Sequence, residues 1–468
     1  MVVPIDPTSV AFLLAESRRT PMHVGGLQLF RPPEGAGPEF ARELYESMLN
    51  VDEVGPLFLK HPIRSLALAG QYAWTEDRQF DIEHHVRHSA LPQPGRVLEL
   101  LALCSRLHGT RLARERPLWE AHIIEGLADG RIAMYTKIHH SLVDGISAMR
   151  MLQSVLSTDP DERDMPPPWA ARETPRRRTT GAGESGGLLQ VPLTALRQAV
   201  AISADAAGLP GALVRTLNHS VRNETSAVSL HAPRTLINTS ITGARRFAAQ
   251  DWPLERLSAI GKATGATVND VVLAMCAGAM RSYLLEHGGL PDAPLVAMVP
   301  VGLNARSSQS ASMSGGNAVG SVMVQLATHL PDAGDRLSAI SRSMQTGKEG
   351  LASMTPLQIT AMSALGMAPA ALWPLLRLHG LARPPFNLII SNVPGPRTTH
   401  YFNGAQLVGM YPLSIPIHGM GLNITCATYD GTIGFGLTGC RRTVPRLQRL
   451  LTHLDDELAA LEKAAGVG

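Results

Sequence analysis

Three features of this sequence predict a two-lobed α/β protein. Strand-like and helix-like segments alternate in both halves, one long polar break divides the halves, and the composition can fill a large core. The chain has 468 residues, enough for two or three domains of roughly 150 residues each. Hydrophobic residues make up 44% and charged residues 17%, which excludes wholesale disorder. The break runs from Asp159 to Gly187, is rich in Pro, Gly and Arg, and has no apolar period. It predicts an exposed linker at 159–187 between an N-terminal lobe (1–158) and a C-terminal lobe (188–468).

In the first half, Val97, Leu100, Leu101, Cys104 and Leu107 recur at helical spacing. Ile132 to Ile138 is short and partly β-branched or aromatic, which predicts a strand. It runs into His139-His140, and Ile146 to Leu156 resumes a helical pattern. After the break, Leu188 to Leu217 is Ala-rich and predicted helical, interrupted at Gly208-Leu-Pro-Gly211. Thr267 with Asp270 three residues on predicts a capped helix reaching about His287. Strands are expected at Leu295–Val301, Ser321–Ala327 and Asn387–Ser391. Leu422–Tyr429 and Thr432–Thr438 flank Asp430-Gly431, a type I′ hairpin signal. Pro445 to Leu461 puts leucines on one face of a terminal helix.

Lys and Arg number 42 against 39 Asp and Glu, so the net charge of +3 gives no global attraction to nucleic acid. The four cysteines form no CxxC pair, which argues against a zinc ribbon, a thioredoxin-type site or a disulfide scaffold, and predicts a reducing, cytoplasmic setting. The N-terminus has no basic segment followed by an apolar run, so no signal peptide is expected. Met362 to Leu376 is apolar but carries Pro369 and Pro374, which predicts a buried or membrane-surface helix pair and not a span.

The chemistry centres on His139-His140-Ser-Leu-Val-Asp144-Gly145. If the two histidines end a strand, their side chains point to opposite faces, so they cannot readily share a metal. One would be held inside its lobe. The other could face a cleft, where an imidazole with an ordinary pKa near 6.5 is a natural general base. Asp144, past a turn that Gly145 allows to be sharp, could orient the histidine or pin the loop by pairing with an arginine. A histidine pair on a strand is commonly structural, so these residues alone leave both readings open. A second pair, His84-His85 within Asp81–His88, lacks the Asp-Gly and reads as a solvated charged stretch.

HHxxxDG resembles the signature of the CoA-dependent acyltransferase superfamily, which includes chloramphenicol acetyltransferases and condensation domains of peptide synthetases. Further segments resemble bacterial wax ester synthases/acyl-CoA:diacylglycerol acyltransferases. They are Pro117-Leu118-Trp119-Glu120, Asn269-Asp270, Pro300-Val301-Gly-Leu-Asn-Ala-Arg306 with Gly316-Asn317, and Ser391-Asn392-Val-Pro-Gly-Pro396. Asp6 to Phe12 and Met22-His-Val-Gly-Gly at the start fit as well, so the resemblance covers nearly the whole chain. The stretch before Arg306 is longer than the family spacing, and that arginine is given no role.

This resemblance implies a chloramphenicol-acetyltransferase-like or condensation-domain-like fold with an active-site tunnel between the lobes. It implies acyl transfer from long-chain acyl-CoA to the hydroxyl of diacylglycerol, or to a fatty alcohol, with His140 as general base. His139, Asp144 and Gly145 would shape the motif, and Trp119, Asn269 and Asn392 would border substrate. No metal or other cofactor is implied, since acyl-CoA is itself a substrate. No covalent acyl-enzyme is needed, in keeping with the lack of a GxSxG elbow. Long acyl substrates partition into bilayers, so a peripheral membrane or lipid-droplet surface is an expected partner. The rivals are a condensation-type enzyme using another alcohol or amine, a lipid-binding protein without turnover, and a metal-binding module.

Overall fold

A computed structural model describes residues 2–66, 70–171, 232–302, 319–352 and 384–467. The first half contains β1 (Val3–Pro4), α1 (Pro7–Ala15), β2 (His23–Arg31), α2 (Phe40–Leu49), β3 (Lys60–Ser65), β4 (Gln71–Glu76), α3 (Ile82–His85), β5 (Val86–Ala90), α4 (Val97–Gly109), β6 (Trp119–Glu125), β7 (Ile132–His139) and α5 (Gly145–Gln153). The second half contains β8 (Arg245–Pro253), α6 (Leu254–Thr264), α7 (Val268–Glu286), β9 (Val296–Gly302), β10 (Val319–Gln325), α8 (Ala333–Ala352), β11 (Leu388–Val393), β12 (Tyr401–Phe402), β13 (Ala405–Leu413), β14 (Leu422–Tyr429), β15 (Thr432–Cys440) and α9 (Arg449–Ala465).

Each lobe is built on a six-stranded sheet. The N-terminal sheet has the order β12-β13-β2-β7-β6-β5 and the C-terminal sheet β10-β9-β11-β14-β15-β8. A small sheet, β1-β4-β3, flanks the first. Both large sheets mix antiparallel and parallel pairs: β5 runs parallel to β6, and β11 runs parallel to both β9 and β14. The expected α/β, two-lobed architecture is what the chain adopts.

In the C-terminal lobe α7 is the central core helix. Thr267 Oγ1 accepts from the Asp270 amide at 3.2 Å, and Asp270 Oδ2 accepts from the Thr267 amide at 2.9 Å, the reciprocal cap that the sequence predicts. The helix is apolar nearly all round because it is covered nearly all round, Val271 to Met280 being buried without interruption. Its length and composition would also suit a membrane span, but its side chains instead form the lobe's core with β9, β11, β14 and α9. Asp430 and Gly431 take φ values of 41° and 76°, the positive pair a type I′ turn requires between β14 and β15.

Two expectations about organisation are corrected. Residues 159–164 are exposed, as expected of a linker, but Met165 and residues 167–169 are buried against the N-terminal lobe. Trp169 is 1% exposed and donates from Nε1 to the Met48 carbonyl at 3.0 Å, and the Ala171 amide bonds Glu53 O at 2.8 Å. A single Trp among prolines and charges is a large apolar side chain with one polar handle, enough to anchor a stretch that has no period. Residues 172–187 lie outside the described residues, as do Leu188–Leu217, Arg306, Gly316-Asn317 and Met362–Leu376.

The lobes also do not divide cleanly at 188. β12 and β13 return to the N-terminal sheet, where β13 pairs antiparallel with β2 from Gln406↔Arg31 to Leu413↔Gly25. Leu407 and Met410 join one core of that lobe, and Tyr411 and Leu413 another. A strand buried on both faces shows little alternation, and Gly409, at the register shift, and Pro412 obscure it further.

Candidate active site

β7, an interior strand of the N-terminal sheet, ends at His139, with His140 just beyond it. The His139 amide donates to Leu118 O at 2.9 Å and the His140 amide to Met22 O at 2.8 Å. Successive amides thus bond opposite neighbours, and the chain stays extended through both residues before it turns. The Leu142 amide closes that turn on His139 O at 2.9 Å, and Gly145 begins α5.

His139 is sealed, with none of its surface exposed. The Ser141 amide, which can only donate, lies 3.1 Å from His139 Nδ1, and Ser141 Oγ lies 2.7 Å from the same nitrogen. Nδ1 is therefore the unprotonated nitrogen, and Nε2–H faces Glu16 Oε1 at 3.7 Å. Burial, with smaller pushes from His140 and Arg114, lowers the His139 pKa to about 3, so the ring is neutral at physiological pH. Ser141 is committed to His139 and its carbonyl accepts from Ser9 Oγ at 2.8 Å. No Ser141–His140 relay forms, as strand alternation predicts.

His140 is half-buried. Its ring stacks on Phe12 of α1 with centroids 4.2 Å apart and planes 18° apart. Its Nδ1 is buried with no hydrogen-bond partner among the described residues. Burial lowers its pKa, against smaller upward pulls from its own carbonyl and from Asp144. The result is an imidazole that is neutral and basic at neutral pH.

Asp144 neither bonds His140 nor pairs with an arginine among the described residues. It is the N-cap of α5: Oδ1 accepts from the Ser147 amide at 2.8 Å and Oδ2 from Ser147 Oγ at 2.9 Å. It fixes the helix start that follows His140 and acts on the ring only through its charge. At Gly145 a Cβ would meet no atom within 4 Å, so the position borders open space.

The remaining expected residues are placed differently. Trp119 was expected to border substrate, but its indole is 3% exposed and fully packed. It stacks on His85 at 4.7 Å and Trp169 at 5.2 Å, and donates from Nε1 to Phe58 O at 2.8 Å. An indole enclosed on these sides belongs to the core of the lobe. Asn269 is half-buried in the first turn of α7, where Thr267 and Asp270 do the capping, and no hydrogen bond joins it to the His140 segment among the described residues. Asn392, near the end of β11, has a buried Oδ1 with no hydrogen-bond partner among the described residues. The next residue, Val393, packs in one core with Ala148, Met149 and Leu152 of α5, and a Cβ on Gly395 would lie 3.3 Å from Gln153 Nε2. The Ser391–Pro396 segment thus lies across the lobe seam against the helix that follows the histidines.

Glu16 is the residue that sequence reading missed. Its side chain is 1% exposed, and its carboxylate faces His139 Nε2. Oε2 accepts from Arg114 at 3.0 and 3.1 Å, and Oε1 from the Met22 amide at 3.4 Å. Nothing local marks it, since its arginine partner lies 98 residues away. With Phe12, one helical turn earlier, it makes α1 the bracket behind both histidines.

Among the described residues no group of three or more His, Cys, Asp or Glu side chains could hold a metal ion.

Comparison with known proteins bears on the whole chain. Residues 5–272 match the family model described as the wax ester synthase/diacylglycerol acyltransferase catalytic domain, and residues 315–462 the model described as the WS/DGAT C-terminal domain. A probable diacylglycerol O-acyltransferase of Mycobacterium tuberculosis is 47% identical over 461 residues, covering 98% of this chain and 99% of its own. The solved structure of a wax ester synthase/diacylglycerol acyltransferase from Marinobacter aquaeolei is 42% identical, with a TM-score of 0.76, covering 99% of this chain and 100% of that one. The starter condensation domain of rhizomide synthetase shares the fold, with a TM-score of 0.58 at 14% identity over 99% of this chain and 94% of that one.

Proposed function

This chain belongs to the wax ester synthase/diacylglycerol acyltransferase family, and on that premise we propose that it moves a long-chain acyl group from acyl-CoA to the hydroxyl of diacylglycerol, forming triacylglycerol, with His140 as the general base. The observation that carries the assignment of the base is the state of His140. It is a neutral ring just past the end of β7, backed by Phe12 and without a hydrogen-bond partner on Nδ1 among the described residues.

The acceptor hydroxyl gives its proton to the imidazole as its oxygen attacks the thioester carbonyl. The tetrahedral oxyanion collapses, the C–S bond breaks, and the CoA thiolate takes the proton back from the imidazolium. Base assistance of this kind contributes about 10²–10⁴-fold. Holding two substrates together in a tunnel between the lobes supplies more. The reaction calls for no metal or redox cofactor, because the thioester is already activated. His139, neutral and clamped between Ser141 and Glu16, and Asp144, capping α5, hold the backbone that presents His140. The open space at Gly145 leaves room for the reacting ester. Asn392, with a buried oxygen that wants a donor, borders the same seam. The acceptor is a lipid, so the enzyme works at a membrane or lipid-droplet surface.

A second acceptor, a long-chain fatty alcohol giving a wax ester, is supported by the name of the Marinobacter relative. The deciding experiment incubates purified protein with palmitoyl-CoA and either dipalmitoylglycerol or hexadecanol, reading free CoA and the lipid product. Triacylglycerol with stoichiometric CoA is expected. Binding of palmitoyl-CoA without CoA release under either condition overturns the proposal.

A further inference from the structure

We propose that an arginine-lined groove at the α4 edge of the lobe seam binds the nucleotide phosphates of the acyl-CoA donor, an inference that rests on the acyl-transfer reading above. The groove has a volume of about 740 Å³ and is lined by Arg18, Arg19, Arg106, Arg245 and Arg441. Among the described residues no carboxylate lines it. None of these five arginines forms an ion pair among the described residues, whereas arginines 42, 96, 114, 131, 256, 336 and 449 all do. The net charge of the whole chain is +3, so one groove concentrates more positive charge than the chain's overall balance.

Arg245 is the informative member. It is 5% exposed, and its guanidinium reaches only backbone carbonyls, Thr242 O at 2.5 Å and Arg19 O at 2.7 Å. A buried cation is costly, and burial lowers its pKa to about 10 against a smaller upward pull from Cys440. No carboxylate pairs with it among the described residues, and an anion in the groove would add counter-charge. The nearby end of α4 would by itself disfavour an anion, but the Leu107 and Thr110 carbonyls there are taken up by Lys137 Nζ at 3.1 and 3.0 Å, the lysine itself pairing with Glu120.

The groove connects to the histidines through the chain segment that follows α1. Arg18 and Arg19 lie between Glu16, which faces His139, and Met22, whose carbonyl holds the His140 amide. The opposite wall comes from the C-terminal lobe, in such close contact that a Cβ on Gly243 would sit 2.6 Å from Arg18 O. CoA carries a 3′-phosphate and a 5′-pyrophosphate at the end of a pantetheine arm. A guanidinium cluster suits the phosphates, and the arm lets the thioester reach a distant base. The volume falls within the roughly 300–1,000 Å³ of small-molecule sites, and a concave groove fits a nucleotide better than a flat bilayer.

The test compares palmitoyl-CoA with palmitoyl-pantetheine, which lacks the nucleotide, in wild type and in Arg18→Ala/Arg106→Ala. Both arginines are exposed and free of ion pairs, so folding should survive. KM for palmitoyl-CoA should rise about 10-fold or more at nearly constant kcat, with KM for palmitoyl-pantetheine unmoved. Arg18→Lys/Arg106→Lys should restore most of the loss. Equal changes for both thioesters overturn the proposal. So does unchanged KM with weakened sedimentation on phosphatidylglycerol vesicles, which would make the groove a lipid contact. Calorimetry with adenosine 3′,5′-bisphosphate separates the two readings. If wild type turns over neither thioester, acyl transfer fails, yet binding lost in the double Ala variant still upholds the phosphate site and no binding to wild type sinks it.

Discussion

The N-terminal lobe contains two adjacent-histidine pairs, and they meet different fates. His84-His85 ends the short helix α3, and His139-His140 ends the strand β7. In each pair one ring is buried and neutral. Burial brings His85 to about 4 and His139 to about 3. The second members differ. His84 lies beside His85 on the outer side of the aromatic stack, with Arg116 and Arg87 nearby. His140 is half-buried, stacked on Phe12, and is followed five residues on by Gly145, where a Cβ would meet no atom within 4 Å. Pairing alone therefore carries no chemistry. What matters is which element ends there and what the far side of the ring meets.

The largest expected effect tests that difference directly. His140→Ala should lower kcat by about 10²–10⁴-fold and leave the melting temperature nearly unchanged, because the ring is only half-buried. His85→Ala should do the reverse. It empties a site stacked on Phe80 and Trp119 and should cost about 2–4 kcal/mol of stability with little change in kcat. If both variants lose stability and rate together, the two pairs are not functionally distinct. The pH profile sharpens the contrast. The His140 pKa lies below its ordinary value, so kcat/KM should stay flat on lowering pH to about 6.5 and decline only beneath it.

Glu16→Gln comes next. It keeps the shape of the bracket but removes the charge facing His139 and paired with Arg114. A roughly 10-fold fall in kcat at constant KM is expected, because the substrate sites are untouched while His140 is less well positioned. Glu16→Asp, which retains the charge, should recover part of it. Loss of stability with kcat intact would make Glu16 purely structural.

Much of this was legible in the sequence because it is local. The capping box at Thr267, the Asp-Gly hairpin and the alternation of faces at His139-His140 each depend on residues within a few positions. What escaped is long-range. Glu16 meets Arg114, β13 crosses into the other lobe's sheet, and Trp169 folds back onto Met48. The Asp81–His88 stretch, expected to be solvated, instead buries His85 and Val86. Its charges describe one face, and the buried face was set by Trp119 from a different strand.

Gly145→Ala should have a smaller effect, of opposite sign on stability and activity. Added in the first turn of α5, a methyl group meets no neighbour and should raise helix stability by a few tenths of a kcal/mol. If the open space there is where the ester forms, turnover should fall severalfold with dipalmitoylglycerol and less with hexadecanol. Equal rates for both acceptors would place the reacting atoms elsewhere.

The smallest effect concerns Asp144, where two roles predict different numbers. As the cap of α5 it can be replaced by Asn, which offers a similar acceptor to the Ser147 amide. Asp144→Asn should then shift stability by only a few tenths of a kcal/mol, and Asp144→Ala by about 1 kcal/mol. The negative charge is the one feature Asn lacks, and that charge pulls the His140 pKa upward. Asp144→Asn should therefore move the acidic limb of the kcat/KM profile to lower pH while leaving its plateau nearly in place. A collapsed plateau with an unshifted limb would mean that Asp144 acts on the reacting groups themselves, and the contrast between the two histidine pairs would then rest on a carboxylate as much as on the imidazole.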